Sequence, residues 1–281
     1  MGTLYVIGTP IGNLEDITSR AVRILGQVTL VAAEDTRLTR RLLNHLGIHK
    51  PLVSYHQHNQ QERLPALLAA LESGDVALVT DAGMPGVSDP GEELVSQAAA
   101  AGFPVEVVPG ASAVTAALAL SGFPGDAFLF LGFLPRRSKE RRARLHLFSP
   151  LPLTLVIFEA PHRLRATLDD LLSVLGDREV AVGRELTKLH EEVFRGAISQ
   201  AIAHFASPRG EFVLVVAGAP EGPSPAEAAP TDLEAARQQL AQLREAGARA
   251  KEAVAAVADS AGIPRKTAYR LWLQTARRSK G

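Results

Sequence analysis

The stretch Asp81-Ala-Gly-Met-Pro-Gly-Val-Ser-Asp-Pro-Gly91 holds three glycines, two prolines and two aspartates, small or rigid residues with carboxylates among them. Such a stretch packs poorly but bends tightly, because glycine reaches backbone angles closed to other residues and proline fixes its own. It follows the apolar run Val76 to Thr80 and precedes a helix-like run from Glu92 to Ala101. A rigid polar loop at the carboxyl end of a buried strand is where open α/β sheets bind ligands. Ordinary strand-to-helix connections take about 2–6 residues, so this longer one reads as a binding loop.

Other stretches offer weaker chemistry. Gly8-Thr-Pro-Ile-Gly12 turns after a first apolar run, and the acidic pair Glu34-Asp35 follows about twenty residues on, which outlines a dinucleotide fingerprint. The triple-glycine pattern is absent, Pro10 sits inside the turn, and there is no Walker A sequence, so a dinucleotide site is the lesser reading. Ser112, just after Pro109-Gly110, either caps a helix or stands at a helix start that favours an anion. His56 and His58 lack a partnering carboxylate or cysteine, and no metal is expected. Pro135 to Arg144 holds six Arg or Lys against one Glu. It is either a solvated helix face or a phosphate-binding segment, and its one-sided sign favours phosphate.

The elements around these stretches alternate. Strands are expected at Leu4–Ile7, Val28–Ala33, Leu52–Tyr55, Val76–Thr80 and Val105–Val108. Helices are expected at Ile17–Leu25, Thr39–Leu46, Glu62–Leu71, Glu92–Ala101 and Ser112–Leu120. That alternation means a mostly parallel α/β sheet over residues 1–122. Gly122 to Asp126 is a turn-rich break. Beyond it, residues 123–220 read as a mixed sheet with helices, with strands at Phe128–Phe133, Leu153–Phe158, Val180–Val182 and Phe212–Val216. Residues 221–230, rich in Pro, Ala and Glu, read as a linker. Residues 231–281 read as a basic helical tail with ten Lys or Arg and five Asp or Glu, an excess of 10 − 5 = +5. Val257 to Leu271 has helix-turn-helix spacing, which a plain helical hairpin shares. Tyr269 and Trp272 can stack on bases; equally, one of them can pack in a core.

The composition narrows the class. The 281 residues suit two medium domains, and 46% hydrophobic with 21% charged residues is a globular composition. Formal net charge is zero and there is no cysteine, which excludes disulfides, Fe–S clusters and Cys-ligated zinc. No apolar run approaches the roughly 18 residues of a membrane span, and the N-terminus lacks a basic leader region, so a cytoplasmic protein is expected.

Eight ordered stretches, GTPIGNLEDIT, EDTRLT, SYHQHN, DAGMPGVSDPG, VPGASAVTAALALSGFP, FEAPHRL, GRELTKLHEE and GEFVLVV, carry a resemblance. From Leu4 to Gly218 the chain resembles the tetrapyrrole-methylase-type S-adenosylmethionine-dependent methyltransferases. Within that family it resembles those that methylate a cytidine ribose 2′-oxygen in small-subunit ribosomal RNA. The resemblance implies two α/β domains with a cofactor cleft between them, a small helical domain after them, and a homodimer.

Carried over by position, the first turn contributes Pro10 and Ile11 to the cofactor. The glycine-rich loop contributes Asp81, Ala82, Gly83, Met84 and Val87, and the following helix start Ser112 and Ala113. Phe158, Leu186 and Glu211 match contacts from the second domain. The family's usual Gly-Asp-Pro is Gly83-Met84-Pro85 here, so no aspartate contact is expected at Met84.

Methylating a ribose hydroxyl asks for alignment, and for a base or a cation near the oxygen. Candidates at strand ends are Glu34, Asp35 and Arg37, then His56 and His58, then Glu159 and His162. Each has a plainer reading as a helix cap or a satisfied loop residue. Arg136, Arg137, Lys139, Arg141 and Arg142 are expected to hold RNA backbone, with Arg265, Lys266, Arg270, Arg277 and Arg278 as a second contact. Two rivals stand beside this reading. One is a relative methylating a tetrapyrrole or a protein side chain. The other is a nucleic-acid-binding regulator that senses S-adenosylmethionine.

Overall fold

The computed structural model describes residues 1–220, 230–261 and 263–275. Residues 221–229 of the expected 221–230 linker, the turn glycine Gly262, and Arg277 and Arg278 lie outside the described residues, and Pro230 begins a helix.

Short apolar runs closed by polar turns build the first sheet. β1 (Leu4–Ile7), β2 (Leu30–Ala33), β3 (Leu52–Ser54), β4 (Val76–Val79) and β5 (Val105–Val108) pair in the order β3-β2-β4-β1-β5, all parallel. β4 is buried at every position, as a central parallel strand covered on both faces must be. Helices α1 (Ser19–Gln27), α2 (Thr36–His45), α3 (Gln60–Ser73) and α4 (Glu92–Ala100) connect the strands. Ile24, Leu25 and Leu43 pack in one cluster with Ile7, Val31 and Val79. Leu67, Leu71 and Leu94 pack in another with Leu4, Ala32 and Leu78. Thr18 starts α1, its hydroxyl accepting the Ala21 N–H at 3.1 Å, and Asp35 starts α2, its carboxylate accepting the Arg37 N–H at 2.8 Å.

The next helix, α5 (Ala113–Ser121), follows β5 but packs on the second sheet, where Val114, Ala117 and Leu118 meet Val156, Ala181, Val213 and Val215. That sheet comprises β6 (Phe128–Phe133), β7 (Thr154–Glu159), β8 (Glu179–Arg184), β9 (Glu192–Ala197) and β10 (Phe212–Val216), in the order β6-β7-β10-β8-β9. Only β6 and β7 run parallel; the other pairs are antiparallel. α6 (Ser138–Phe148), α7 (Pro161–Leu175) and α8 (Ile198–His204) supply Leu145, Leu164, Leu168, Leu171 and Ile198 to its large core. β9 carries no expectation from the sequence, because Glu192-Val-Phe-Arg-Gly-Ala197 is an edge strand without a fully buried position. Residues Met1–Ala219 form one compact unit.

Pro220–Gly281 form a second unit. In it, α9 (Pro230–Glu245), α10 (Ala250–Ser260) and α11 (Arg265–Thr275) close around Leu240, Val254, Val257, Ile263, Ala268 and Trp272. Trp272 is core, with the Arg244 guanidinium 4.4 Å from its ring centre, whereas Tyr269 is exposed. Any base stacking by this unit therefore falls to Tyr269. Among the described residues no helix is long and apolar enough to cross a membrane.

Candidate active site

Three loops at the carboxyl ends of β1, β4 and β5 are locked together by close backbone approach. A Cβ on Gly8 would stand 2.7 Å from Gly110 Cα and 2.6 Å from Met84 Sδ, so only glycine fits. Thr9 and Gly83 exchange two backbone hydrogen bonds of 2.9 and 3.1 Å, with Gly83 at φ +87°. The Thr9 hydroxyl donates to the Thr80 carbonyl at 3.1 Å.

Beside these loops lies a cavity of about 430 Å³. That volume is within the range of ligand sites, roughly 300–1,000 Å³. From the glycine-rich loop Asp81, Ala82, Gly83, Met84 and Val87 line it. Ile11, Ser112 and Ala113 complete this side, and Phe158 and Glu211 face it from the second sheet. Two expected cofactor residues do not reach the cavity. Pro10 is buried in its turn, and Leu186 is buried against Gly183, in the same cluster as Phe158. Both support the wall rather than form it.

The base candidates separate clearly. Glu34 lines the cavity, and its carboxylate accepts the Asp81 N–H at 3.5 Å. Asp35 and Arg37 do not line it, which corrects the expectation for both. Asp35 caps α2 and pairs with Arg37 at 2.6 Å; hydrogen bonds from the Arg37 side chain and backbone hold its carboxyl down to about 2. Such a carboxylate is a poor proton acceptor. Glu159 lines the cavity but is fully engaged: it accepts from the Thr167 hydroxyl (2.6 Å) and the Ala160 N–H (2.9 Å), and pairs with Arg163 (3.1 Å). His56 and His58 pack edge to face with ring centres 6.0 Å apart, and His162 is exposed at the start of α7; none of the three lines the cavity. Among the described residues no group of His, Cys, Asp or Glu is arranged to hold a metal ion.

Sequence reasoning passed over Asp89, Ser88 and Phe133. All three line the cavity. Asp89 lay within the loop already singled out, and its spacing from Asp81 was the available signal. Phe133 gives none: it is 54% exposed at the end of β6, and only the fold sets it edge to face on Phe158, with ring centres 5.7 Å apart.

The cavity concentrates negative charge. Burial, then the nearby Asp81 carboxylate, raises Glu34, and burial chiefly raises Asp81. Asp89 is pushed up to about 6 by burial, then by Glu34. Three crowded carboxylates beside two phenylalanines suit a ligand with a cationic centre and an aromatic part. At the start of α5, Ser112 makes no side-chain cap, which leaves backbone N–H groups for an anionic part.

The basic segment forms α6 and its approach. Arg136, Arg137, Lys139 and Arg142 are exposed. Arg141 is not, which corrects its expected RNA contact. It is 3% exposed, and its guanidinium donates to Asp170 and to the carbonyls of Pro135, Arg136 and Ala166. In the tail unit Arg265 and Lys266 lie exposed in the first turn of α11.

The fold and this cavity define a chain that belongs to the tetrapyrrole (corrin/porphyrin) methylase family, whose profile matches residues 3–202. More particularly, it is 50% identical over 229 residues to ribosomal RNA small subunit methyltransferase I of Halalkalibacterium halodurans, covering 80% of this chain and 79% of the relative. The protein of that name from Thermotoga maritima is 51% identical over 221 residues, covering 78% of this chain and 99% of the relative. Among solved structures, uroporphyrin-III-C-methyltransferase from Thermus thermophilus is similar with a TM-score of 0.57 and 26% identity, over 77% of this chain and 94% of that one.

Proposed function

We propose that this protein is an S-adenosylmethionine-dependent methyltransferase acting on the ribose 2′-oxygen of a cytidine in small-subunit ribosomal RNA. The single observation that carries the reading is the similarity, at about half identity, to relatives named for that RNA, together with a cavity whose residues suit the cofactor.

When bound, S-adenosylmethionine supplies a methyl group on a cationic sulfur. Asp81 and Glu34 would offer negative charge to its cationic parts, the backbone N–H groups at the start of α5 would suit its carboxylate, and Phe133 and Phe158 would offer an apolar wall to its aromatic ring. The glycine-built floor brings backbone close on one side. Alignment of this kind can supply up to about 7–11 kcal/mol of a displacement barrier.

Exposed Arg136, Arg137, Lys139 and Arg142 hold RNA backbone in this reading, and Arg265 and Lys266 add a contact from the tail unit. A cytoplasmic location, a homodimer and a division into domains at 1–122, 123–220 and 231–281 belong to the same proposal.

Labelled S-adenosylmethionine, incubated with the protein and small ribosomal subunits, tests it. Label at a cytidine 2′-oxygen is expected. Label appearing in a tetrapyrrole or a protein, or cofactor binding without turnover, overturns it in favour of another activity.

A further inference from the structure

Five acidic residues line the cavity and Asp35 follows one of them, Glu34, in sequence; five of these six accept a backbone N–H or form an ion pair within the fold. Asp35 caps α2 and pairs with Arg37. Asp81 accepts the Asp35 N–H at 3.0 Å, and Glu34 accepts the Asp81 N–H. Glu159 is held by Thr167, Ala160 and Arg163. Glu211 is paired with Lys188 at 2.8 Å. Asp89 remains. It lines the cavity half-buried, and among the described residues no ion pair or backbone N–H engages it. Its hydrogen-bonding neighbour is the hydroxyl of Thr80, itself buried and short of a partner in full hydrogen-bonding geometry.

The backbone around Asp89 is held in place. The preceding Ser88 sits at φ +64°, a costly conformation for a residue with a side chain. It persists where β6 gives way. A bulge between Phe130 and Gly132 shifts the register, and a Cβ on Gly132 would stand 2.9 Å from Ser88 Oγ. The glycine therefore lets the second sheet receive the loop, which keeps Asp89 in the cavity wall near Phe133.

We propose that Asp89 is the catalytic base of the methyl transfer and takes the proton of the ribose 2′-hydroxyl. The inference rests on the function proposed above. In the step, the ribose oxygen forms a bond to the methyl carbon while the carbon–sulfur bond breaks and its electron pair stays on sulfur. The oxygen–hydrogen bond breaks, and the proton passes to an Asp89 carboxylate oxygen. The charged groups facing Asp89 are Glu34 and Asp81, both negative, with the Thr80 hydroxyl alone favouring its ionised form. Like charge and burial make it a better proton acceptor than a solvated aspartate.

The test compares the wild type with Asp89→Asn and Asp89→Glu. Cofactor Kd is measured calorimetrically, kcat is measured on small ribosomal subunits, and the Asp89 carboxyl is titrated by NMR without cofactor. Asp89→Asn is expected to lower kcat by roughly 10²- to 10⁴-fold with Kd changed less than about threefold. Asp89→Glu is expected to recover part of kcat. The wild-type kcat profile should lose activity below about pH 6, and the apo titration should fall near that value. Unchanged kcat in Asp89→Asn, or a Kd rise that accounts for the whole defect, overturns the assignment. Wild-type failure to label RNA would instead overturn the proposed function.

Discussion

The Arg141 guanidinium meets Asp170 at 2.6 Å where the two side chains are only 4% and 11% exposed, which ties α6 to α7 from inside. The segment that looks most basic in sequence therefore spends one of its six cations on the core. Removing one partner of a buried pair leaves a charge without compensation, at about 3–5 kcal/mol. Arg141→Ala is expected to lower stability by that amount in urea unfolding, and an effect under about 1 kcal/mol would show the pair to be dispensable.

Arg136 and Arg137 lie just outside that pair and face solvent. Replacing both by alanine is expected to change stability by under about 1 kcal/mol. It should weaken RNA binding and reduce the slope of log K against log salt by about 2. An unchanged slope removes these residues from the RNA interface.

Asp89 also predicts a pH effect on folding. Its carboxyl is raised from 3.8 to about 6, so the folded state holds the proton more tightly than the unfolded chain. The unfolded state therefore binds fewer protons between those values, and this residue's contribution to stability falls as pH rises through that window. Asp89→Asn should raise the apo protein's Tm at pH 7.5 by about a few degrees, with the gain gone below about pH 4. A gain equal at both pH values would refute the charge origin.

The floor of the cavity gives a steric test. Gly8→Ala would force a Cβ to 2.7 Å from Gly110 backbone and 2.6 Å from Met84 Sδ, and the backbone there cannot yield cheaply. Cofactor Kd is expected to rise at least about tenfold, while α6, remote from the floor, stays folded. Asp81→Ala should raise Kd as well, since Asp81 both lines the cavity and holds the Asp35 N–H; calorimetry on the two variants checks both.

The tail unit has its own core. The Thermotoga maritima relative is matched over 99% of its length by 221 residues of this chain, which leaves 281 − 221 = 60 residues here outside the match. Removing residues 231–281 is therefore expected to leave cofactor Kd unchanged and to lower methylation by raising KM for the RNA. A lost cofactor site in the shortened chain would mean the tail is part of the first unit.

Element type was legible wherever burial was complete. β4 and β10, buried at every position, stood out as apolar runs, and the alternation of strands with helices gave the parallel first sheet. β9 did not, because an edge strand needs no buried run. The loop that holds the site was legible from glycine and proline alone. Which carboxylates in it were free was not: that depends on partners distant in sequence, such as Asp35, 46 residues away, for Asp81. Arg141 and Arg142 read alike in sequence, and only helix phase against α7 turned the first inward.

The order β6-β7-β10-β8-β9 puts the last strand of the sheet at its centre. During synthesis, β7 and β8 must wait for Phe212–Val216 to emerge before either gains its second neighbour. Glu211, Phe212 and Val213 are also part of the cavity wall. A nascent or prematurely terminated chain that stops short of β10 thus lacks both the sheet's middle and a wall of the cavity. Its unpaired β7 and β8 edges stay open to pairing with other chains until β10 is made.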